Sequence, residues 1–584
     1  MATALRELTR PPQARPGRRG RAGDVALLLL FAGPVLLGVA GTILPALGYL
    51  PELGGAAFSL DPFRRLLEVP GLRRAATLSL TTGLATAAFS FAIVLAFTAH
   101  WHGTAWFAAI RRLLSPLLSV PPAAMAIGFA FLVAPSGWIF RTLTDIGVAG
   151  PLPPDLATLQ DPYGVSLILG LTLKETPFLL LMMLVALSHV RARESMTVAR
   201  ALGHARSAAW FATVLPQIYP QLRLPIYAVL AYSVSVVDVS LILGPTAPPT
   251  LAVLVWRGFQ HPELTQIFWA CAGACLQLAI AGGAILIWRA GELAVAALGR
   301  RRIAAGWPGR TSRLAAATAL AAALLVAAAA GLGLGATLLW SVTAGWGIGS
   351  MLPDSISLAA WREQLPGAAR AIGTTALLGL AASAAALALA IAVLQQERPQ
   401  SSRMRRLQGS LVYAPLVLPQ IGFLFGVQAM LVMTGLEGNW AGLAWTHFLF
   451  VFPYVYLSLS EPCRALDPRF GRTARCLGHG PLRVLVTIEM PLLARPILVA
   501  LALGFAVSVA QYLPTLFAGA GRFQTVTTEA VALAAGGDRR VVGVYAALQM
   551  LLPALGFAMA LALTRSRDRA TGEPPAPALG SWRR

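Results

Sequence analysis

The chain has 584 residues, 57% of them hydrophobic and only 12% charged, and its mean hydropathy is +0.69. Soluble domains carry roughly a quarter charged residues, so a row of globules is excluded, as are disorder, collagen and, with four cysteines, a disulfide scaffold. The formal charge of +22 would point to nucleic acid in a soluble chain. In a membrane protein basic residues instead collect in cytoplasmic loops, so an all-α polytopic membrane protein with no nucleic-acid partner is expected.

A membrane helix needs roughly 20 mostly apolar residues to cross about 30 Å of hydrocarbon. Residues 1–24 form an Arg/Pro-rich cytoplasmic tail whose Gly17-Arg18-Arg19-Gly20 invites a twin-arginine export reading. The apolar run after it is too long and lacks a small-residue cleavage pattern, so 25–50 reads as an uncleaved first span. Spans are then expected at 74–98, 113–134, 163–189, 218–244 and 264–288, closing a first membrane half at 25–290. The Arg/Gly-rich stretch 291–313 reads as a cytoplasmic linker. A second half at 314–563 holds spans at 314–340, 370–394, 409–434, 441–461, 493–517 and 541–563, and residues 564–584 form a cytoplasmic tail.

Prolines 34, 116, 121, 177, 225, 415 and 453 fall inside these runs, where neighbouring helices can satisfy the freed carbonyls. Alternating ten-residue strands, the mark of a barrel, are absent. Placing both termini in the cytoplasm puts most arginines there, including Arg111, Arg112, Arg300 to Arg302, Arg403, Arg405, Arg406, Arg565, Arg567 and Arg569. The opposite orientation violates the positive-inside rule. The chain is thus expected to be a multi-pass membrane protein with both termini in the cytoplasm. Cys271 and Cys275, one helical turn apart in an apolar run, read as small packing residues.

Lysine usage excludes one function. The chain has a single lysine, Lys174, followed by Glu175. A phosphate-binding loop requires Gly-Lys-Ser/Thr, so this chain by itself is not a P-loop ATPase.

Two loops resemble one another. Thr197-Val198-Ala199-Arg200-Ala201-Leu202-Gly203 is followed by His204 and, 13 residues after the glycine, by Pro216; Arg472-Thr473-Ala474-Arg475-Cys476-Leu477-Gly478 is followed by His479 and, again 13 residues on, by Pro491. Each lies between the fourth and fifth expected span of its half. Ala-Arg-x-Leu favours a helix, the glycine permits the left-handed turn that ends it, and the proline is tolerated in the first turn of the next helix. The expected product is a helix–turn–helix bracket beneath the membrane. Repeated six-span halves of the same orientation imply a pseudo-twofold axis along the membrane normal.

These loops resemble the EAA loops of MetI-like, type I ABC importer permeases, and the whole chain resembles the fused double permeases of the ferric-iron and thiamine group. The resemblance covers roughly 72–290 and 368–563, with the first and seventh spans as additions. It implies ATPase subunits docked on the two loops, a periplasmic solute-binding protein and a small solute, with no cofactor in this chain. Carried over by position, Gly203 and Gly478 are the turn glycines, Pro216 and Pro491 the closing prolines, and Ala199 and Ala474 the second alanines. The family's acidic position, six before the glycine, is Thr197 in one loop and Arg472 in the other; Glu194 lies one turn earlier in the first loop, while Asp467 lies farther upstream in the second.

Ionisable residues inside spans are costly and are functional candidates by default. Aligning the halves sets Lys174 and Glu175 near His447, and Asp238 against Gln511, as residues of a polar translocation pathway. The plainer reading is interhelical glue. No metal-ligand spacing and no nucleophile–base arrangement emerges, so no enzyme activity is expected. A proton-coupled twelve-span secondary transporter is the alternative. It would carry charged signature loops after the second span of each half, whereas 99–112 and 395–408 are short and unlike one another.

Overall fold

The computed structural model describes residues 27–150, 155–306, 312–347, 349–397 and 411–571. The N-terminal tail, Arg403, Arg405, Arg406 and residues 572–584 lie outside them, as do the side chains of Arg565, Arg567 and Arg569.

The described residues are nearly all helical. The first half comprises α1 (Gly33–Ala46), α2 (Asp61–Glu68), α3 (Leu72–Trp101), α4 (Ala105–Leu114), α5 (Pro122–Val133), α6 (Trp138–Asp145) and α7 (Val165–Ser188). The short helices α8 (Ala192–Ala201) and α9 (Arg206–Ala209) then precede α10 (Leu215–Ser235), α11 (Asp238–Leu243), α12 (Leu251–Phe259) and α13 (Gln266–Ala304). The second half runs through α14 (Arg313–Ser341), a small hairpin of β1 (Thr343–Gly345) and β2 (Ser355–Ile356), α15 (Ala359–Glu397), α16 (Leu411–Val417), α17 (Ile421–Met433) and α18 (Trp440–Ala465). It closes with α19 (Pro468–Cys476), α20 (Pro481–Val484), α21 (Met490–Leu492), α22 (Ala494–Val509), α23 (Leu513–Gly519), α24 (Val526–Ala534) and α25 (Arg539–Thr571).

Among the described residues nine helices are long and apolar enough to cross a membrane, or eleven if two bent pairs each count once. The remaining expected span, 218–244, corresponds to α10 and α11. The first half-length of α10 carries Gln217, Gln221 and Arg223, which dilute its apolar character.

Two expected spans are redrawn. The run 113–134 is not one helix: Pro116 starts a 3₁₀ turn over Ser115–Ser119, Pro121 caps α5 in an extended conformation, and the helix begins only at Pro122. Consecutive prolines lack N–H donors and force the preceding residue out of the helical region. The run 409–434 bends by 111° between α16 and α17, at Pro419. Pro177, Pro225 and Pro453, in contrast, lie inside helices as expected. Within the expected linker 291–313, α13 stays helical to Ala304 and carries Arg301 and Arg302 in its last turn, where cations suit the helix dipole.

The first and seventh spans exchange sides. α1 packs on α17 of the second half, and α14 packs on α5 of the first. Both crossings are backbone-close. A Cβ on Gly41 would come within 2.9 Å of Gly426 Cα, one on Gly426 would overlap the Gly38 carbonyl, and one on Gly128 would lie 2.8 Å from the Gly333 oxygen. The Thr42 hydroxyl, bonded to Gly38 O, accepts the Gly426 N–H at 3.3 Å, and Thr337 bonds Gly333 O at 3.1 Å in the other crossing. Without a hydrophobic drive between helices in lipid, close van der Waals approach of small residues is what holds such contacts.

Other bonds recur in both halves. Ser79 of α3 accepts the Leu251 N–H that opens α12, and Thr375 of α15 accepts the Val526 N–H that opens α24. At the end of the molecule away from the brackets, Arg141 and Arg539 converge from the two halves on the Ser136 carbonyl and flank the ring of Trp340.

Candidate functional site: paired brackets and a polar cluster between the halves

Both expected brackets form, with matching geometry. In the first, α8 ends at Gly203, whose φ is +87°; Gly203 N–H donates to Arg200 O at 3.0 Å and His204 N–H to Ala199 O at 3.2 Å. In the second, α19 ends at Gly478 with φ +86°; Gly478 N–H donates to Arg475 O at 3.0 Å and His479 N–H to Ala474 O at 3.1 Å. This is the double-bonded Schellman ending, which places a left-handed residue just past the helix. Ala199 and Ala474, whose carbonyls accept the outer bond, are buried. Beyond each turn a short helix, α9 or α20, passes into a π-helical turn, Trp210–Val214 or Leu485–Glu489.

The brackets differ in how they join the next helix. Pro216 sits in the first turn of α10, which continues without a break, whereas Pro491 lies in the three-residue α21, and the chain bends by 81° before α22. Their acidic residues differ as well. Glu194 pairs loosely with Arg191 at 3.5 Å, both exposed, while Thr197 turns its hydroxyl to Arg193 O of its own helix. Asp467 is the N-cap of α19, accepting Arg469 N–H at 2.8 Å, and Arg472 is exposed. Among the exposed arginines of the brackets stand exposed apolar side chains: Leu202 and Leu477 are 75% and 74% exposed, with Val198 and Phe470 on the same short helices. Asp467, Phe470, Thr473 and Leu477 line an open groove of about 520 Å³.

The first bracket is tied to the body of the protein by Arg206, which donates to the carbonyl of His102 at 2.8 Å. His102 ends α3 with its ring on Phe107. Burial, then the charges of Arg206 and Arg193, push its pKa below the usual imidazole value.

Within the membrane the structure gathers some candidates and separates others. Glu175 and Asp238 are 7% and 8% exposed. Both lie within electrostatic reach of Tyr232, which also senses Tyr454 from the second half, and Tyr512 lies near Asp238. The Tyr232 hydroxyl is buried and makes no hydrogen bond among the described residues. Lys174 is partly buried, with Glu175 as its electrostatic neighbour.

His447 is elsewhere engaged: its Nδ1 meets Ser508 Oγ at 2.8 Å and its Nε2 meets Thr515 Oγ1 at 3.0 Å, joining α18 to α22 and α23. Gln511 donates to Val507 O at 3.2 Å. Among the described residues no hydrogen bond or ion pair joins Lys174 to His447 or Asp238 to Gln511. The helix breaks pair Asp238 with Leu513 instead, since α11 and α23 open at these residues, 275 apart (513 − 238), the separation of Gly203 and Gly478 (478 − 203). The three tyrosines were missed in the sequence; their signal was a polar handle within apolar runs.

No protein-family profile matches the chain. It is 31% identical over 511 residues to the inner membrane ABC transporter permease protein YnjC of Escherichia coli K12, an alignment covering 86% of this chain and 90% of that protein. With a helical, multi-span body and two glycine-turned brackets already in place, an identity of this extent puts the chain among the inner membrane ABC transporter permeases.

Proposed function

We propose that this permease serves a binding-protein-dependent importer, in which separate ATPase subunits dock on the brackets at 190–216 and 462–491 and a periplasmic protein delivers solute to the opposite face. The observation that supports this most directly is the pair of brackets, whose turn angles agree within 1° and whose hydrogen-bond pattern is the same. Large apolar side chains left exposed on such a turn mark a surface made for a partner. Closure of the ATPase pair then moves the brackets, and the spans that follow them rock the two halves between inward-open and outward-open states.

The solute is small and, by the resemblance to the ferric-iron and thiamine group, cationic. Glu175, Asp238 and Lys174, with the tyrosines around them, are the polar groups along its path, and His447 and Gln511 brace the second-half wall. Buried carboxylates are expensive in this setting, which suits a site that meets positive charge in passing.

Cysteines at Leu202 and Leu477 should cross-link to a co-expressed ATPase subunit. A complex that hydrolyses ATP yet cross-links at neither position removes the docking reading.

A further inference from the structure

The helix leaving the first bracket, α10, carries Tyr219, Arg223 and Tyr227 at four-residue spacing, hence on one face. Opposite them α13 presents Trp288, Arg289 and Glu292. The Glu292 carboxylate, with its side chain 4% exposed, accepts from Arg223 Nε at 3.1 Å, from the Tyr227 hydroxyl at 3.2 Å and from Arg289 Nη1. Trp288 Nε1 donates to the Tyr219 hydroxyl at 3.1 Å, and the Arg223 guanidinium lies 6.0 Å from the Tyr219 ring. A covered carboxylate with this many charged donors holds as a unit, because removing one partner leaves an uncompensated buried charge.

The second half does not repeat these side chains. At the constant separation of 275 (478 − 203), the positions matching Tyr219, Arg223 and Tyr227 are Ala494, Leu498 and Ala502. A different tie stands there: Glu489, buried in the second π-turn, accepts from Gln395 of α15, where the first π-turn ends in apolar Val214. The knotted helix α13 also packs on α1 and α17, at the exchange contact between the halves.

We propose that Glu292 is a positioning residue that locks α10 and α13 into one rigid lever, so that the two brackets drive the membrane helices through non-equivalent linkages. The first acts through Glu292 on α13 and the second through Glu489 on α15. This rests on the brackets being the ATPase docks.

The test uses the full chain with its ATPase partner in lipid nanodiscs, spin-labelled at exposed Leu286 of α13 and Leu555 of α25, with distances measured with and without ATP and vanadate. Glu292→Gln is expected to keep normal membrane abundance and ATPase co-purification while the fraction of molecules that shift falls at least about fivefold, the low end of ordinary inter-site coupling. Arg223→Ala should give the same fall, and the double variant no more, since residues of one network do not add. Glu489→Gln should leave this distance pair unchanged. A wild-type-sized shift in Glu292→Gln, or additive losses in the double variant, overturns the proposal. If Glu292→Gln accumulates poorly, Arg223→Ala alone decides, with an undiminished shift counting against the knot. A wild-type chain that fails to hold its ATPase subunit would sink the docking reading, and this inference with it.

Discussion

The turn glycines act through conformation alone. A Cβ added to Gly203 or Gly478 meets nothing within 4 Å, so a substitution clashes with no neighbour and its cost is the positive φ. For a β-branched residue that strain is about 1–3 kcal/mol. Gly203→Val and Gly478→Val should therefore insert at normal abundance, since neither lies in a span, and should lose ATPase co-purification. Gly478→Val should lose more, because Arg472 in place of the acid leaves that bracket dependent on shape. Normal co-purification and uptake in both variants would remove the case for the brackets as couplers.

His102 gives a pH-dependent counterpart. Its pKa is depressed in the folded chain by burial and by Arg206 and Arg193, relative to the ordinary value of 6.5. Below that value the unfolded chain binds a proton that the folded one resists, so stability contributed at neutral pH is lost as pH falls through about 6.5. The protection factors of the bracket amides 199–206, taken relative to the intrinsic exchange rate at each pH, should fall between pH 7 and pH 5.5 in the wild type, and less so in His102→Gln. Equal pH dependence in the two would refute the assignment.

At the scale of elements, the exchange of α1 and α14 stands on glycine. Gly426 touches the Gly38 backbone and Gly128 faces Gly333, so a larger side chain at either must push two helices apart. Overpacking of this kind costs about 1–3 kcal/mol or more. Gly426→Val and Gly128→Val are expected to lower the thermal midpoint of the detergent-solubilised chain and its monodispersity on size exclusion, whereas Gly331→Ala on α14, with open space around it, should do neither. An unchanged midpoint in both valine variants would mean that the crossings carry little of the stability. The bends at Pro121-Pro122 and Pro419 serve the same architecture: they shorten α5 and α17, the helices that receive the exchanged spans.

For the whole molecule, energy must come from another subunit. The single lysine lies within α7, beside Glu175, and no phosphate-binding loop can be built around it. The purified chain should show no vanadate-sensitive ATP hydrolysis, and should gain it only on adding its ATPase partner; robust hydrolysis by the chain alone would defeat this. Cysteine labelling at 51–70, 141–160, 345–365 and 520–540 should occur from the outer face, and reaction only from the cytoplasmic side would overturn the topology together with the docking assignment.

What the sequence determined by itself was local. Hydropathy over windows of about 20 residues gave the class and most of the spans, because crossing hydrocarbon depends on composition within a single helix. The brackets were legible because a helix former, a glycine and a proline at fixed spacing dictate a turn without outside help, and the φ values of +87° and +86° express that local rule. The tertiary structure alone decided which helices meet. The exchanged first and seventh spans, the engagement of His447 by Ser508 and Thr515, and the Glu292 knot all join residues that are far apart in sequence. Apolar surface in lipid does not choose its partner; close packing and matched polar groups do, and that match exists only once the helices are side by side.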